Sequence, residues 1–277
     1  MKMVRGVEQG KQALNRDQIE ANQRENPNMQ KRIMEIFGVD LSPEQAVSTI
    51  LSKIKDSGDD AIYEYNQRID GVVLDNIEID RQQMIDAASN LPEDVNNALI
   101  RSASRVREFN SASMPKAWVD LERGFGEIIN PIERIGVYIP GGSAAYPSTV
   151  LMTTIPARVA GVKEIILCTP PSKDGVLNPA VMTAALLGGV DRVFLVGGAQ
   201  AIGAMAYGTN TIPKVDMICG PGNIFVTIAK KLVSGDVSID GLEGPTETLI
   251  IADESGNPSL CAADLLAQAE HDELATP

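Results

Sequence analysis

The stretch Arg192-Val-Phe-Leu-Val-Gly-Gly-Ala-Gln-Ala-Ile-Gly203 decides the fold, because a short β-branched and aromatic run breaks on paired glycines and resumes as a small-residue helix pattern. A strand buried on both faces reads as a continuous apolar run rather than an alternation. Three runs of the same kind flank it: Ile135-Gly-Val-Tyr-Ile139, Glu164-Ile-Ile-Leu-Cys168 and Val215-Asp-Met-Ile-Cys219. Each is separated from the next by room for one helix, the spacing of repeated βα units in a doubly wound parallel sheet. Two further runs, Val237-Ser-Ile-Asp240 and Thr248-Leu-Ile-Ile-Ala252, are expected as short strands before a helix that starts near Asn257-Pro258.

Working toward the N-terminus, charge rises and glycine falls. Ser42 before Pro43 predicts a helix start, with Val47, Ile50, Leu51 and Ile54 on one face and Gly58 as its stop; a short helix through Ile62 to Tyr65 follows. Between Pro92 and Asn110, Val95, Leu99, Ser102, Val106 and Phe109 recur at intervals of three and four, which predicts an amphipathic helix with that stripe packed. Residues 1 to about 40 are polar and amide-rich, with one apolar knot at Ile33, Ile36 and Phe37, and read as a loose arm or a docking segment.

The chain of 277 residues is 44% hydrophobic with a net charge of -13. That composition supports a globular protein, and the acidic balance argues against nucleic acid or an anionic membrane as partner. No run approaches the roughly 18 apolar residues of a membrane span, and the first residues lack the apolar core of a signal peptide. Three widely spaced cysteines, Cys168, Cys219 and Cys261, form no C-x-x-C pair and give an odd count, which points to a reducing, cytoplasmic compartment.

In an open parallel sheet the ligand sits outside the carboxyl ends of the strands. The residues after each run here are glycine-rich: Pro140-Gly-Gly-Ser143, Gly197-Gly-Ala-Gln200, Gly220-Pro-Gly-Asn223 and Gly241-Leu-Glu-Gly-Pro-Thr246-Glu247. The turn at Gly197 leads into a helix N-terminus, where backbone amides can hold a pyrophosphate. It does not match G-x-G-x-x-G, and glycines that serve only tight turns explain each loop taken alone. Gln200 and Asn223 are neutral amides suited to a nucleotide, or equally to a helix cap. Cys168 and Cys219 stand at strand ends, as nucleophiles or as small buried residues. Glu243, Glu247 and Glu270 read as solvated carboxylates. Gln268 and the chain's single histidine, His271, are three positions apart on a helix and so face the same way.

Five blocks in this order, Tyr138-Ile-Pro-Gly-Gly-Ser143, Gly197-Gly-Ala-Gln-Ala-Ile202, Gly220-Pro-Gly-Asn223, Gly244-Pro-Thr-Glu247 and Asp264-Leu-Leu-Ala-Gln-Ala-Glu-His271, resemble histidinol dehydrogenase from about Ser42 onward. The resemblance implies an α/β fold of two incomplete Rossmann-like domains with parallel sheets, in a homodimer. Residues 1–41 would be an N-terminal arm, 42–127 the helical part of a discontinuous first domain, 128–245 the glycine-rich NAD-binding domain and 246–277 the return to the first. It also implies oxidation of L-histidinol to L-histidine through histidinaldehyde, with NAD and zinc. Tyr138, Gln200 and Asn223 match NAD positions; Thr246, Gln268 and His271 match substrate positions, with Gln268 and His271 also ligating zinc. The catalytic Glu-His base and the remaining zinc ligands of the family are expected beyond Pro277. Alternatives on the same scaffold are a dehydrogenase of a small sulfonated diol and a non-catalytic nucleotide-binding fragment. Asn110, where the family often has histidine, and threonine at 246, where serine is common, depart from the pattern.

Overall fold

In a computed structural model of the chain, residues 4–13, 27–141, 145–242 and 248–271 are described. The chain divides into two compact units, residues 47–242 and residues 1–46 with 243–277. The helices and the first strand of residues 59–113 pack into the larger unit.

The larger unit is built on a six-stranded sheet in the order β1-β6-β5-β4-β7-β8, formed by Glu78–Ile79 (β1), Arg134–Tyr138 (β4), Glu164–Thr169 (β5), Arg192–Leu195 (β6), Met217–Cys219 (β7) and Ser238–Ile239 (β8). Strands β4 to β8 pair in parallel as the apolar runs predict, and β1 adds antiparallel to β6, with Glu78 opposite Phe194. Trp118–Asp120 (β2) and Phe125–Glu127 (β3) make a separate antiparallel hairpin. From β4 the chain builds outward through β5 to β6, then returns to the other side of β4 for β7. The reversal between β4 and β7 is a topological switch point, where ligands of open α/β sheets bind.

Alternation along the strands sorts the core. Ile135, Val137, Ile139, Ile165, Leu167, Val193 and Leu195 pack with Met84, Leu99, Val150, Ile155 and Val181. Those partners come from the helices Arg81–Ser89 (α5), Glu93–Ser113 (α6), Pro147–Val159 (α7) and Pro179–Gly188 (α8). The intervening residues, Gly136 and Tyr138 among them, face the opposite layer, made by Asp59–Tyr65 (α4), Gly198–Tyr207 (α9) and Ile224–Val233 (α10). Met205 packs directly over Gly136, where a Cβ would come 2.4 Å from the Met205 sulfur.

Pro43–Ser57 (α3) starts as predicted, with the Ser42 hydroxyl accepting from the Gln45 amide and the Gln45 side chain accepting from the Ser42 amide. This reciprocal cap satisfies two helix-end donors. Val47, Ile50, Leu51 and Ile54 are all buried. In α6 the expected stripe is displaced: Leu99 and Ala103 are buried while Val95 and Phe109 are exposed, Phe109 at 74%. The helix meets α7 and α8 through the small Ala103, and spacing of three and four alone does not choose between two adjacent faces.

In the smaller unit, Val7–Ala13 (α1) and Pro27–Phe37 (α2) are helices, and Ile33 of the expected knot is buried. Thr248–Ala252 forms no strand, and Leu249 and Ile251 are more than 80% exposed. A short apolar run needs a neighbouring strand to pair with. Pro258–His271 (α11) is the helix expected after Asn257, whose side chain accepts from the Ser259 amide.

Candidate functional site

The loops after β4, β5 and β6 lock together through one proline. A Cβ on Gly141 would meet Pro170 at 2.4 Å, and one on Gly197 would meet the same ring at 2.5 Å. Gly220, with φ +117°, is pressed so close to the Tyr138 carbonyl that a Cβ would lie 2.0 Å from its oxygen. Much of the close approach that these glycines signal in the sequence is therefore between the loops themselves. Pro170, which carries no motif, is the residue sequence reasoning missed there.

Gly198, with φ +60°, opens α9, and its amide donates to the Tyr138 hydroxyl at 3.0 Å. The Gln200 side chain folds back over it, its Oε1 only 2.8 Å from where a Gly198 Cβ would stand. Gln200 is fully buried, yet among the described residues neither Oε1 nor Nε2 has a hydrogen-bond partner. Leaving an amide unpaired in the interior is costly. Burial pushes the Tyr138 phenol well above its ordinary range, against a smaller opposing effect of the Gly198 amide. The hydroxyl is neutral at physiological pH and serves as a hydrogen-bonding group, not as a base.

Asn223 is the cap of α10. Its Oδ1 accepts from the amides of Phe225 and Val226, at 3.0 and 3.2 Å. The cap fixes the side chain with its NH2 group turned away from the helix amides, so the turn and ligand readings of this residue are compatible.

The Gly220 peptide is clamped at both ends. Asp240 Oδ2 accepts from its amide at 2.7 Å, and Lys230 Nζ donates to its carbonyl at 3.1 Å. Lys230, 2% exposed, pairs with Asp240 Oδ1, which also accepts from the Gly241 amide. A buried lysine needs this kind of pairing. Its only trace in the sequence is one lysine on the otherwise apolar inward face of the helix, beside Val226, Ala229 and Val233.

Cys168 and Cys219 take the structural role. Burial raises both thiols, that of Cys219 to about 11, and keeps them protonated at neutral pH.

Thr246, with Glu243 and Glu247, lies outside the described residues, and so does the side chain of His271. Gln268 is half-buried on α11, three residues before His271. Amide oxygen and imidazole suit zinc, but a closed shell takes four donors, and among the described residues no group of three or more His, Cys, Asp or Glu side chains could hold a metal. The described residues alone therefore do not fit a complete zinc site. The sheet edge does fit a nucleotide, on the strength of the unpaired Gln200 amide.

Comparison with known proteins identifies the family. The family profile for histidinol dehydrogenase matches residues 39–277. The histidinol dehydrogenase of Dehalococcoides mccartyi strain CBDB1 is 47% identical over 280 residues, spanning the whole of this chain and 63% of the relative. That of Methanothermobacter thermautotrophicus is 51% identical over 229 residues, covering 82% of this chain and 54% of the relative. The crystal structure of histidinol dehydrogenase from Elizabethkingia anophelis superposes with a TM-score of 0.81 at 38% identity, over 90% of this chain and 59% of that one. The chain thus spans between half and two thirds of the length of these relatives. The matched profile, the level of identity and the shared fold agree on one conclusion: the chain belongs to the histidinol dehydrogenase family.

Proposed function

We propose that this chain carries the dinucleotide-binding part of an NAD-dependent enzyme that oxidises L-histidinol to L-histidine by way of histidinaldehyde, in histidine biosynthesis. The observation that carries the reading is the Gln200 amide, fully buried at the N-terminus of α9 with both polar atoms unpaired. NAD, when bound, supplies the hydride acceptor. The chain's own residues bind and orient it: the Gln200 amide offers a donor and an acceptor, Tyr138 a neutral hydroxyl, and Asn223 the NH2 group left over by its cap. The N-terminus of α9 adds an electropositive end suited to a pyrophosphate.

Thr246, Gln268 and His271 are assigned to the alcohol substrate, and Gln268 and His271 also to zinc as two of its ligands. The remaining ligands and the general base are not among the described residues, and no step is derived through the metal. Membership of the family supports a homodimer, and the composition supports a cytoplasmic location. No described helix is long and apolar enough to cross a membrane.

Titration of the purified chain with NAD+ by calorimetry tests the core of this reading. One site per chain is expected, weakened by about tenfold or more in Gln200→Leu, because a site built for hydrogen bonds loses them when the amide is removed. A folded wild-type chain that takes up no NAD+ would overturn it.

A further inference from the structure

Asn66 opens a five-residue π-helical turn, Asn66–Asp70, that extends α4. Such turns are rare and occur often at functional sites. The Asn66 side chain is 1% exposed, and its Nδ2 donates to the Leu195 carbonyl at 2.8 Å. A carbonyl can only accept, so this bond fixes the amide's orientation. The atom left over is Oδ1, which has no partner among the described residues.

The surroundings place this acceptor beside the site already described. Leu195 ends β6, two residues before Gly197 caps α9, and Gln200 follows in the first turn of that helix. At the other end of the same π-helical turn, Asp70 is near enough to Tyr138 for its charge to disfavour the phenolate. One turn is thus tied to the strand that leads to Gln200 and borders the residue that ends β4. Asn66 and Gln200 together bring three unpaired buried amide atoms to this edge.

We infer that Asn66 is a further ligand-binding residue of this site, its Oδ1 accepting a hydrogen bond from the nucleoside portion of the dinucleotide. The inference rests on the dinucleotide reading above and deepens it. An acceptor selects a donor. The pyrophosphate diester of a dinucleotide, fully ionised at neutral pH, offers none, whereas a ribose hydroxyl, an exocyclic amine or a carboxamide N–H does. Asn66 therefore recognises the nucleoside, and the helix amides take the phosphates.

The test compares the chain with Asn66→Leu, of similar volume, and with Asn66→Ser, which serves if the leucine variant does not fold. NAD+ affinity is measured by calorimetry, and inorganic pyrophosphate affinity by competition against NAD+. We expect NAD+ to bind about 3- to 10-fold more weakly, the equivalent of one lost hydrogen bond, with the pyrophosphate constant unchanged. Equal weakening of both ligands would show that Asn66 acts only by holding Leu195 in place, and would overturn the inference. Unchanged NAD+ binding would overturn it as well, with the dinucleotide reading left standing. If the wild-type chain does not bind NAD+, both readings fall together.

Discussion

The two edges of the main sheet are built on opposite plans. At the amino edge the strands begin on charges that find partners: Arg134 of β4 meets Glu164 of β5 at 2.5 Å, and Arg192 of β6 holds Glu78 of β1 through two bonds of 2.7 Å. Asp191, before β6, accepts from the Ile165 amide and pairs with Arg158, which reaches the Gly189 carbonyl as well. At the carboxyl edge the loops are glycine, proline, phenol and amide, and there the amides of Asn66 and Gln200 leave buried atoms unpaired. Closed polar accounts mark the edge that holds the strands in register. Unpaired polar atoms mark the edge at which we propose that the dinucleotide binds.

The Lys230–Asp240 pair is the sharpest exception, being a closed network at the open edge, and its removal is expected to have the largest effect. Lys230→Met leaves Asp240 with its backbone donors but without its countercharge, and leaves the Gly220 carbonyl without its donor. Breaking a buried pair costs about 3–5 kcal/mol; with Asp240 31% exposed, a loss of about 3 kcal/mol is expected in urea denaturation. NAD+ binding should weaken in the surviving folded fraction, because the Gly220–Asn223 turn is no longer clamped. The double variant Lys230→Met/Asp240→Leu should recover part of the stability and none of the binding. If the double variant bound NAD+ normally, the pair would belong with the amino-edge charges, as a device of stability alone.

Gln200→Leu breaks the comparison from the other side. Replacing an unpaired buried amide by an apolar group of similar size should raise the ligand-free stability by about 1–2 kcal/mol while NAD+ affinity collapses. Stability gained at the cost of binding is the signature of a residue kept for function. A variant that lost stability would mean that the amide is satisfied in the ligand-free chain in solution, and the contrast between the edges would shrink.

How legible this was in the sequence follows from the range of the interactions involved. The parallel strands were readable because each is a continuous apolar run, and the glycine clusters that follow those runs marked the carboxyl edge where the loops crowd together. The fit of Gly141 and Gly197 around Pro170 was not, since nothing local to residue 170 says that it meets loops some 30 residues away on either side. The π-helical turn at Asn66 has no compositional mark, and the unpaired state of Asn66 and Gln200 is a property of the packed interior. The stripe on α6 was misplaced by one step around the helix because the decisive contact is Ala103, which periodicity passes over in favour of Phe109. Thr248–Ala252 carries a strand's composition without a strand's partner. Thr246 and the His271 side chain, assigned by resemblance, rest on that resemblance alone.

The smallest effect is expected where the charges are most conspicuous. Arg192 lies across the Phe194 ring at 4.9 Å and also donates to the Thr211 carbonyl, so it looks indispensable. Its side chain and that of Glu78 are nonetheless 34% and 30% exposed, and ion pairs in contact with water contribute little because solvent already screens each charge. Arg192→Gln keeps a donor for Glu78 near the position of Nε but removes the charge and the bond to Thr211, and should cost about 1 kcal/mol, less at high salt, with NAD+ affinity unchanged within a factor of two. Thermal denaturation at two ionic strengths, read beside the NAD+ titration, checks both halves. Altered affinity with intact stability would mean that the amino edge communicates with the site through β6, whose last carbonyl is the one Asn66 holds, and the two edges would then be one mechanical unit instead of two independent ones.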